Sequence, residues 1–428
     1  MTREDKHMSK KLFGTLLSIS LVLALLAGCG GSSGQDASGD EAPVDLYMFI
    51  SQPEYADAIN ELISEYKNVK PHVTINYETT QADYPVLLRA RINSDNIPDI
   101  FSSTSGKEID MYMEYSHDLS GQPMMQTMLP AVQDTMRPMD GDGIHGFAIK
   151  GNYFGTLYNK DIFAEAGVEQ FPETLTELEE ACVKIEAAGY QPFTSGFAEW
   201  WVFKHSAMPF FGAASDDAKD LIARFERGEA QFADYPILYD NFFRYIDIVK
   251  QYGDNRPLET DLSAQIAAFA NGKAAMTNGQ GAWIEADVLR INPDINIGFN
   301  GYAVSEDAAQ CVVVTGADQA LRVSNASDHL QEVLDFVNWW YTSDYGIAWF
   351  TDVADVVPPV ATAVESDFEV IKQGGDLVAK KGSGPLTVIY STDSFHAAFG
   401  EAMQAYVGGW NDKEATIAAI EELWLTQH

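Results

Sequence analysis

Hydrophobic positions organise this chain from residue 44 onward. Residues 45–50 form an apolar stretch of strand length, and Val73, Ile75 and Tyr77 alternate with polar neighbours as a second strand. Between them Tyr55, Ile59, Leu62, Ile63 and Tyr66 follow the spacing of one helix face. Asp83 is placed to cap a helix through Leu87, Leu88 and Ile92, and Ile97-Pro98-Asp99-Ile100 leads into a third strand. Strands alternating with helices predict a parallel α/β sheet. The pattern returns later, where Thr174 and Glu177 make a capping box before Leu178, Ala181, Cys182 and Ile185. Ser263 is read as the start of a helix through Ile266, Ala267 and Phe269 that stops at Gly272. Residues 327–343 read as an apolar-faced helix, in which Trp339 and Trp340 are packing residues. Asp412 caps a last helix through Ile417, Ile420 and Trp424, and Trp410 and Trp424 are expected to pack at the C-terminus. No repeat of solenoid period interrupts this order.

The beginning of the chain has a different character. Lys10 and Lys11 precede an apolar run over 12–27, followed by small residues. That is the layout of a secretory signal peptide, and the run is shorter than the roughly 20 residues that span a bilayer. Met8 is an alternative start to Met1. Leu26-Ala27-Gly28-Cys29 resembles the lipobox of bacterial lipoproteins, which implies removal of 1–28 and acylation of Cys29. The other reading is an ordinary signal peptide with a chance cysteine. Residues 30–42 are rich in Gly, Ser, Asp and Glu without periodicity, so 29–43 reads as a flexible linker. The expected location is the extracytoplasmic face of a membrane, held through an N-terminal lipid.

Charge narrows the partners. The net charge is −36, and removal of 1–28 leaves 23 basic and 61 acidic residues, a balance of −38. Such a surface repels nucleic acid and anionic headgroups over a Debye length of about 8 Å. The 46% hydrophobic content is that of a packed globular protein, and 428 residues exceed what one core usually supports, so two domains are expected. Cys182 and Cys311 lie in apolar segments far apart; they could pair outside the cytoplasm, but buried free thiols are the preferred reading.

Catalytic signatures are missing. The chain has no Gly-x-Ser-x-Gly, no His-Glu-x-x-His and no Walker A run, and its histidines form no i, i+4 metal pair. Asp140-Gly141-Asp142-Gly143 reads as a polar turn, since the later ligands of a calcium loop are missing. No catalytic residue, metal or cofactor is expected.

Three stretches read as recognition rather than generic core. They are 143–163, the segment Phe269 to Met276 followed by Gly281-Ala282-Trp283, and the Trp200-Trp201 pair in a loop after Gln191-Pro192-Phe193. Together with Ile97-Pro98-Asp99-Ile100, Leu157-Tyr158-Asn159-Lys160, Ala166-Gly167 and Pro172-x-Thr174-x-x-Glu177-Leu178, they stand in the order seen in family 1 extracellular solute-binding proteins. The helix before Ser343-Asp344 and the closing segment from Glu414-Ala415 to Trp424 also fit, so the resemblance covers nearly the whole mature chain. These proteins are the capture subunits of ABC importers for sugars, maltose-binding protein among them.

The resemblance implies an α/β fold of two lobes, each a sheet flanked by helices, with hinge crossovers and ligand in the cleft between them. The first lobe would hold 44–150 and 308–356, the second 151–307 and 357–428. Residues at matching positions are Ser51, Gln52 and Glu54 after the first strand, Ser103 and Thr104 after the third, and Asn152 and Tyr153 at the crossover. Trp200, Trp201 and Trp283 match aromatic positions of the second lobe, and Phe395 and His396 fall where another aromatic contacts sugar. Successive Trp side chains diverge, so one of Trp200 and Trp201 is expected in the cleft. A pyranose offers apolar faces to such rings and hydroxyls to polar side chains. The expected protein is a monomeric, non-enzymatic binder of a mono- or oligosaccharide that serves ABC permease subunits. The loops holding Ser51 and Ser103 lack the charged and aromatic contacts of the maltose binder, which puts maltose itself in doubt. Two rivals remain: a binder of a non-sugar solute such as a polyamine, which the acidic charge favours, and a secreted carbohydrate-active enzyme.

Overall fold

The computed structural model describes residues 42–80, 84–139, 141–362 and 366–426. Cys29, the apolar run before it, the linker up to residue 41, Asp83 and Asp140 lie outside the described residues.

Eleven strands are formed among the described residues. They are β1 (Val44–Ile50), β2 (Val73–Thr79), β3 (Ile100–Thr104), β4 (Asn152–Asn159), β5 (Gln191–Thr194) and β6 (Ala274–Thr277), then β7 (Gln280–Gly281), β8 (Ile297–Asn300), β9 (Val313–Gly316), β10 (Gln319–Val323) and β11 (Ser383–Gly384). The first sheet has the order β10-β3-β1-β2, with β1 parallel to β2 and β3 and β10 antiparallel to β3. The second follows β11-β9-β4-β6-β5, and β7 and β8 also pair with β4. Helices flank both sheets.

Each sheet has its own hydrophobic core. Val44, Leu46 and Met48 point inward from β1 and meet Ile59, Leu62 and Tyr66 of the helix Ala56–Val69, as their spacing predicts. Trp340 and Trp349 complete this first core, their rings edge-to-face at 5.0 Å. The second core gathers Phe154, Leu178, Cys182, Phe193 and Phe210 with Phe399 and Trp424. Thr174 closes the predicted capping box, accepting from the Glu177 amide while Glu177 accepts from the Thr174 amide, both at 3.2 Å. Asp412 caps the last helix through the Ala415 amide at 2.8 Å. Cys182 and Cys311 are both buried and free, as read.

Other expectations need correction. The helix assigned to Ser263 spans Leu262–Ala270, because the Asp261 carboxylate caps it through the Ala264 amide. The helix assigned to 327–343 spans Leu330–Thr342. Ser327 is held in the turn before it by Asp99, and Ser343 caps the next helix through the Gly346 amide. Trp200 and Trp201 stand in the first turn of the helix Trp200–Ala214, not in a loop. Trp410 follows a turn at Gly409 (φ +72°) and is 75% exposed rather than packed. Residues 313–316, assigned to the first lobe, pair with β4 in the second sheet as β9.

One buried cation ties β10 and β3 of the first sheet to the segment that follows β3. Arg322 of β10 is fully buried, and burial lowers its pKa to about 10. Its guanidinium donates to Ser103 Oγ (2.9 Å), Ser116 Oγ (2.8 Å) and the Glu108 carbonyl (2.7 Å). Truncation leaves those acceptors buried and unpaired. Arg322→Ala is expected to destabilise the protein by about 3–5 kcal/mol, measurable by urea unfolding. In the second core His396 Nε2 lies 2.8 Å from the Val388 carbonyl, which can only accept, so Nε2 carries the proton and donates. Burial, then Lys204, lowers its pKa to about 4 against the pull of Asp393. The unfolded chain therefore binds this proton first as pH falls, and stability present at pH 7 is lost from about pH 6.5 downward, by at most about 1.4 kcal/mol per unit. His396→Gln should flatten that slope in unfolding midpoints measured between pH 7.5 and 5.

Candidate functional site

The ends of β1, β2 and β3 form the first side of the site. In open α/β sheets the carboxyl ends of parallel strands are where ligands meet the backbone. Ser51 receives this edge through a hydrogen bond from its amide to Ser102 Oγ at 2.9 Å. Gln52 is 4% exposed, yet its Oε1 has no partner. Thr104 Oγ1, at the end of β3, is likewise buried without a partner, and the Thr79 hydroxyl at the end of β2 lies toward that of Tyr77. Ser103 faces the other way and is spent on Arg322 and on the Thr104 carbonyl, 2.7 Å from its hydroxyl. Glu54 is exposed on the short turn Pro53–Tyr55, and Tyr55 beside it is buried.

Aromatic rings form the second side. Trp283 is half-buried and meets Phe154 edge-on at 5.1 Å and His205 at 5.5 Å. Trp201 lies 5.3 Å from the same His205, one helical turn along. His205 Nδ1 lies 3.2 Å from the Gly279 carbonyl, which can only accept, so Nε2 is left with its lone pair. Burial, helped by Lys204, holds the His205 pKa well below the usual imidazole value, and the ring is neutral. Trp200 diverges from Trp201, as expected of neighbours, and lies under the Lys204 ammonium at 5.2 Å. Phe395 packs on Trp424 at 3.8 Å between ring centres and lies in the second core with His396. Both line a cavity of about 20 Å3 with Lys204 and Ser391, and neither makes a ring contact with Trp283.

The segment entering β4 lies between the two sides. Asn152 donates to Asp318 Oδ1 at 3.1 Å. Successive side chains of a strand alternate faces, so Asn152 and Phe154 share one face and Tyr153 takes the other. Tyr153 there covers Gly374, where a Cβ would stand 2.6 Å from its ring. Lys150, just before, sets its ammonium 5.8 Å from the centre of the Tyr55 ring and 5.6 Å from that of Trp283. It touches a residue of the first core and the main aromatic of the second. Trp201 and Trp283 thus meet at His205, and Lys150 joins Trp283 to Tyr55, whereas Tyr153, Ser103, Phe395 and His396 are engaged in packing. Sequence reasoning missed Tyr55, Lys150, His205 and Asp318. Of these Lys150 lies within the stretch 143–163 read as recognition, and His205 left a signal in its i+4 spacing from Trp201 on a helix.

Among solved structures the fold is similar to a chitin oligosaccharide binding protein, with a TM-score of 0.77, 18% identity, and coverage of 89% of this chain and 98% of that one. It is similar also to the solute-binding protein RafE in complex with raffinose, with a TM-score of 0.76, 20% identity, and coverage of 89% and 99%. A sugar transporter from Bacillus licheniformis in complex with stachyose matches with a TM-score of 0.72, 17% identity, and coverage of 89% and 98%. No curated protein matches the chain in sequence. The family model of the bacterial extracellular solute-binding proteins matches residues 51–347, most of the described chain. With its two helix-flanked sheets and a polar strand edge set against an aromatic cluster, the chain belongs to that family of bacterial extracellular solute-binding proteins.

Proposed function

We propose that this protein captures a neutral carbohydrate between its two sheets and delivers it to an ABC importer. The observation that carries this reading is the pairing of chemistries across Lys150. Buried oxygens without partners on Gln52 and Thr104 stand on one side, and the Trp283, His205 and Trp201 rings on the other. An unmatched buried polar group costs about 1–3 kcal/mol, and hydroxyls of a bound sugar would relieve that cost. Indole rings would stack on its C–H faces. The sugars named for similar structures, raffinose, stachyose and chitin oligosaccharides, support the same class of ligand.

In this reading one lobe comprises 44–150 with 317–356, the other 151–316 with 357–428, and they hinge at the crossings near Lys150, Ala317 and Val357. The site residues are Gln52, Thr104, Asn152, Trp201 and Trp283, with Glu54 and Trp200 at the rim. Lipid on Cys29 would keep the trap at the extracytoplasmic face of the membrane, near its permease. Cys29→Ala is then expected to release the protein from membranes in fractionation while sugar binding in solution persists.

A panel of neutral sugars including raffinose, stachyose and chitin oligosaccharides is expected to raise the melting temperature with at least one member. Trp283→Ala should weaken that sugar at least about tenfold, or about 1.4 kcal/mol, by calorimetry. Unchanged affinity would remove Trp283 from the site. Chromatography of the recovered ligand separates binder from hydrolase: the sugar returns intact.

A further inference from the structure

Lys150 has surroundings of a particular kind. Its ammonium lies between the Tyr55 and Trp283 rings, at 5.8 and 5.6 Å from their centres. Burial works against its charge, but the Tyr55 hydroxyl, Asp318 and Glu54 outweigh that and raise its pKa above the usual lysine value. Aromatic faces backed by carboxylates are how proteins hold organic ammonium ligands. Here the cage is filled from within the chain.

The filling matters because of the field outside. A chain of net charge −36 draws organic cations toward its surface and concentrates them at clefts. Without a local countermeasure, a cage of two rings and two carboxylates would bind them. We propose that Lys150 is the specificity-determining residue of the cleft, a resident ammonium that occupies the cage of Tyr55, Trp283, Glu54 and Asp318 and so shuts out organic cations while admitting uncharged, hydroxyl-bearing ligands. This rests on the reading that the cleft is the ligand site. A second ammonium would meet like charge at contact range, and Asp318 already accepts from Asn152. A sugar hydroxyl pays no such penalty and gains a charged donor.

Removing the side chain should expose the cage. The probe is n-butylammonium chloride, with n-butanol and sodium chloride at equal concentration as controls, read by melting temperature. Wild type should respond to n-butylammonium no more than to sodium chloride. Lys150→Ala should gain a saturable rise of about 1–3 °C with n-butylammonium and none with n-butanol. Lys150→Met, which refills the cage without charge, should gain none. Adding Trp283→Ala to Lys150→Ala should abolish the gain. Stabilisation of wild type by the amine would overturn the proposal, as would an unresponsive Lys150→Ala whose circular dichroism is native. Lys150→Ser carries the same two outcomes where Lys150→Ala does not fold. The sugar panel on the same samples keeps the two readings apart. Amine rescue without any sugar response sinks the carbohydrate reading alone, and sugar binding without amine rescue sinks the role of Lys150 alone.

Discussion

The hydrogen-bond ladder of β4 is the constraint on which the rest of the site depends. This strand pairs with β6, β7, β8 and β9, so four separate stretches of chain are registered against one. Phe154 opposite Gly281 places Trp283 two residues on, beside the Phe154 ring. Asn152 opposite Gly316 brings Asp318 within reach of the Asn152 amide. The ladder is tight enough to require small residues. A Cβ on Gly281 would stand 2.2 Å from the Tyr153 carbonyl and from the Trp283 ring, and one on Gly155 2.3 Å from the Asn300 carbonyl. The glycines serve close approach of neighbouring backbone, which any larger residue would break.

Two half- or fully buried cations do opposite work around that frame. Arg322 meets only neutral acceptors, two hydroxyls and backbone carbonyls, and its planar fork suits that fixed geometry. It thereby consumes Ser103, which sequence position alone would leave to ligand. Lys150 meets rings and carboxylates, on a flexible stem where the chain crosses between cores. A guanidinium buried among neutral acceptors builds the wall, and in the proposal an ammonium between two rings guards the opening.

The fold was legible in the sequence wherever local physics decides it. A run of strand length gave β1, alternation gave β2, helical spacing gave the face of Ile59, Leu62 and Tyr66, and the reciprocal pair Thr174 and Glu177 marked a helix start. Errors arose where two local signals compete. Asp261 outbid Ser263 as a cap because a carboxylate also gains from the helix dipole, and Ser343 belongs to the helix after it. Trp410 misled because hydrophobicity says nothing of the turn that swings it outward. In the proposed site, the sequence pointed to Gln52, Thr104, Asn152 and Trp283 through their place at strand ends or in a family phrase. It did not single out Lys150, Tyr55 and Asp318, because their meeting joins residues 55, 150, 283 and 318, and no local pattern encodes a contact of that range. The same blindness hid the packing of Phe395 on Trp424.

Contacts outside the crossings also join the two cores. Lys107 Nζ meets Glu226 Oε1 at 2.5 Å, joining the helix Lys107–Met111 of the first core to the helix Ala218–Glu226 of the second. Lys219 donates to the Met139 carbonyl nearby, and Gly106 (φ +66°) lies so close to the Ile389 carbonyl that a Cβ would stand 2.1 Å from it. Partly exposed ion pairs contribute about 0–1 kcal/mol each. Contacts of that size bias a closed arrangement without locking it, since carrying a two-state equilibrium from 1:99 to 99:1 takes about 5.5 kcal/mol. In the proposed capture cycle the remainder has to come from the ligand. In that proposal the unpartnered oxygens of Gln52 and Thr104 are where it would be available, because a buried oxygen is costly until a hydroxyl reaches it. A ligand that stacked on Trp283 without reaching the strand ends would bind one core only and leave these contacts to open.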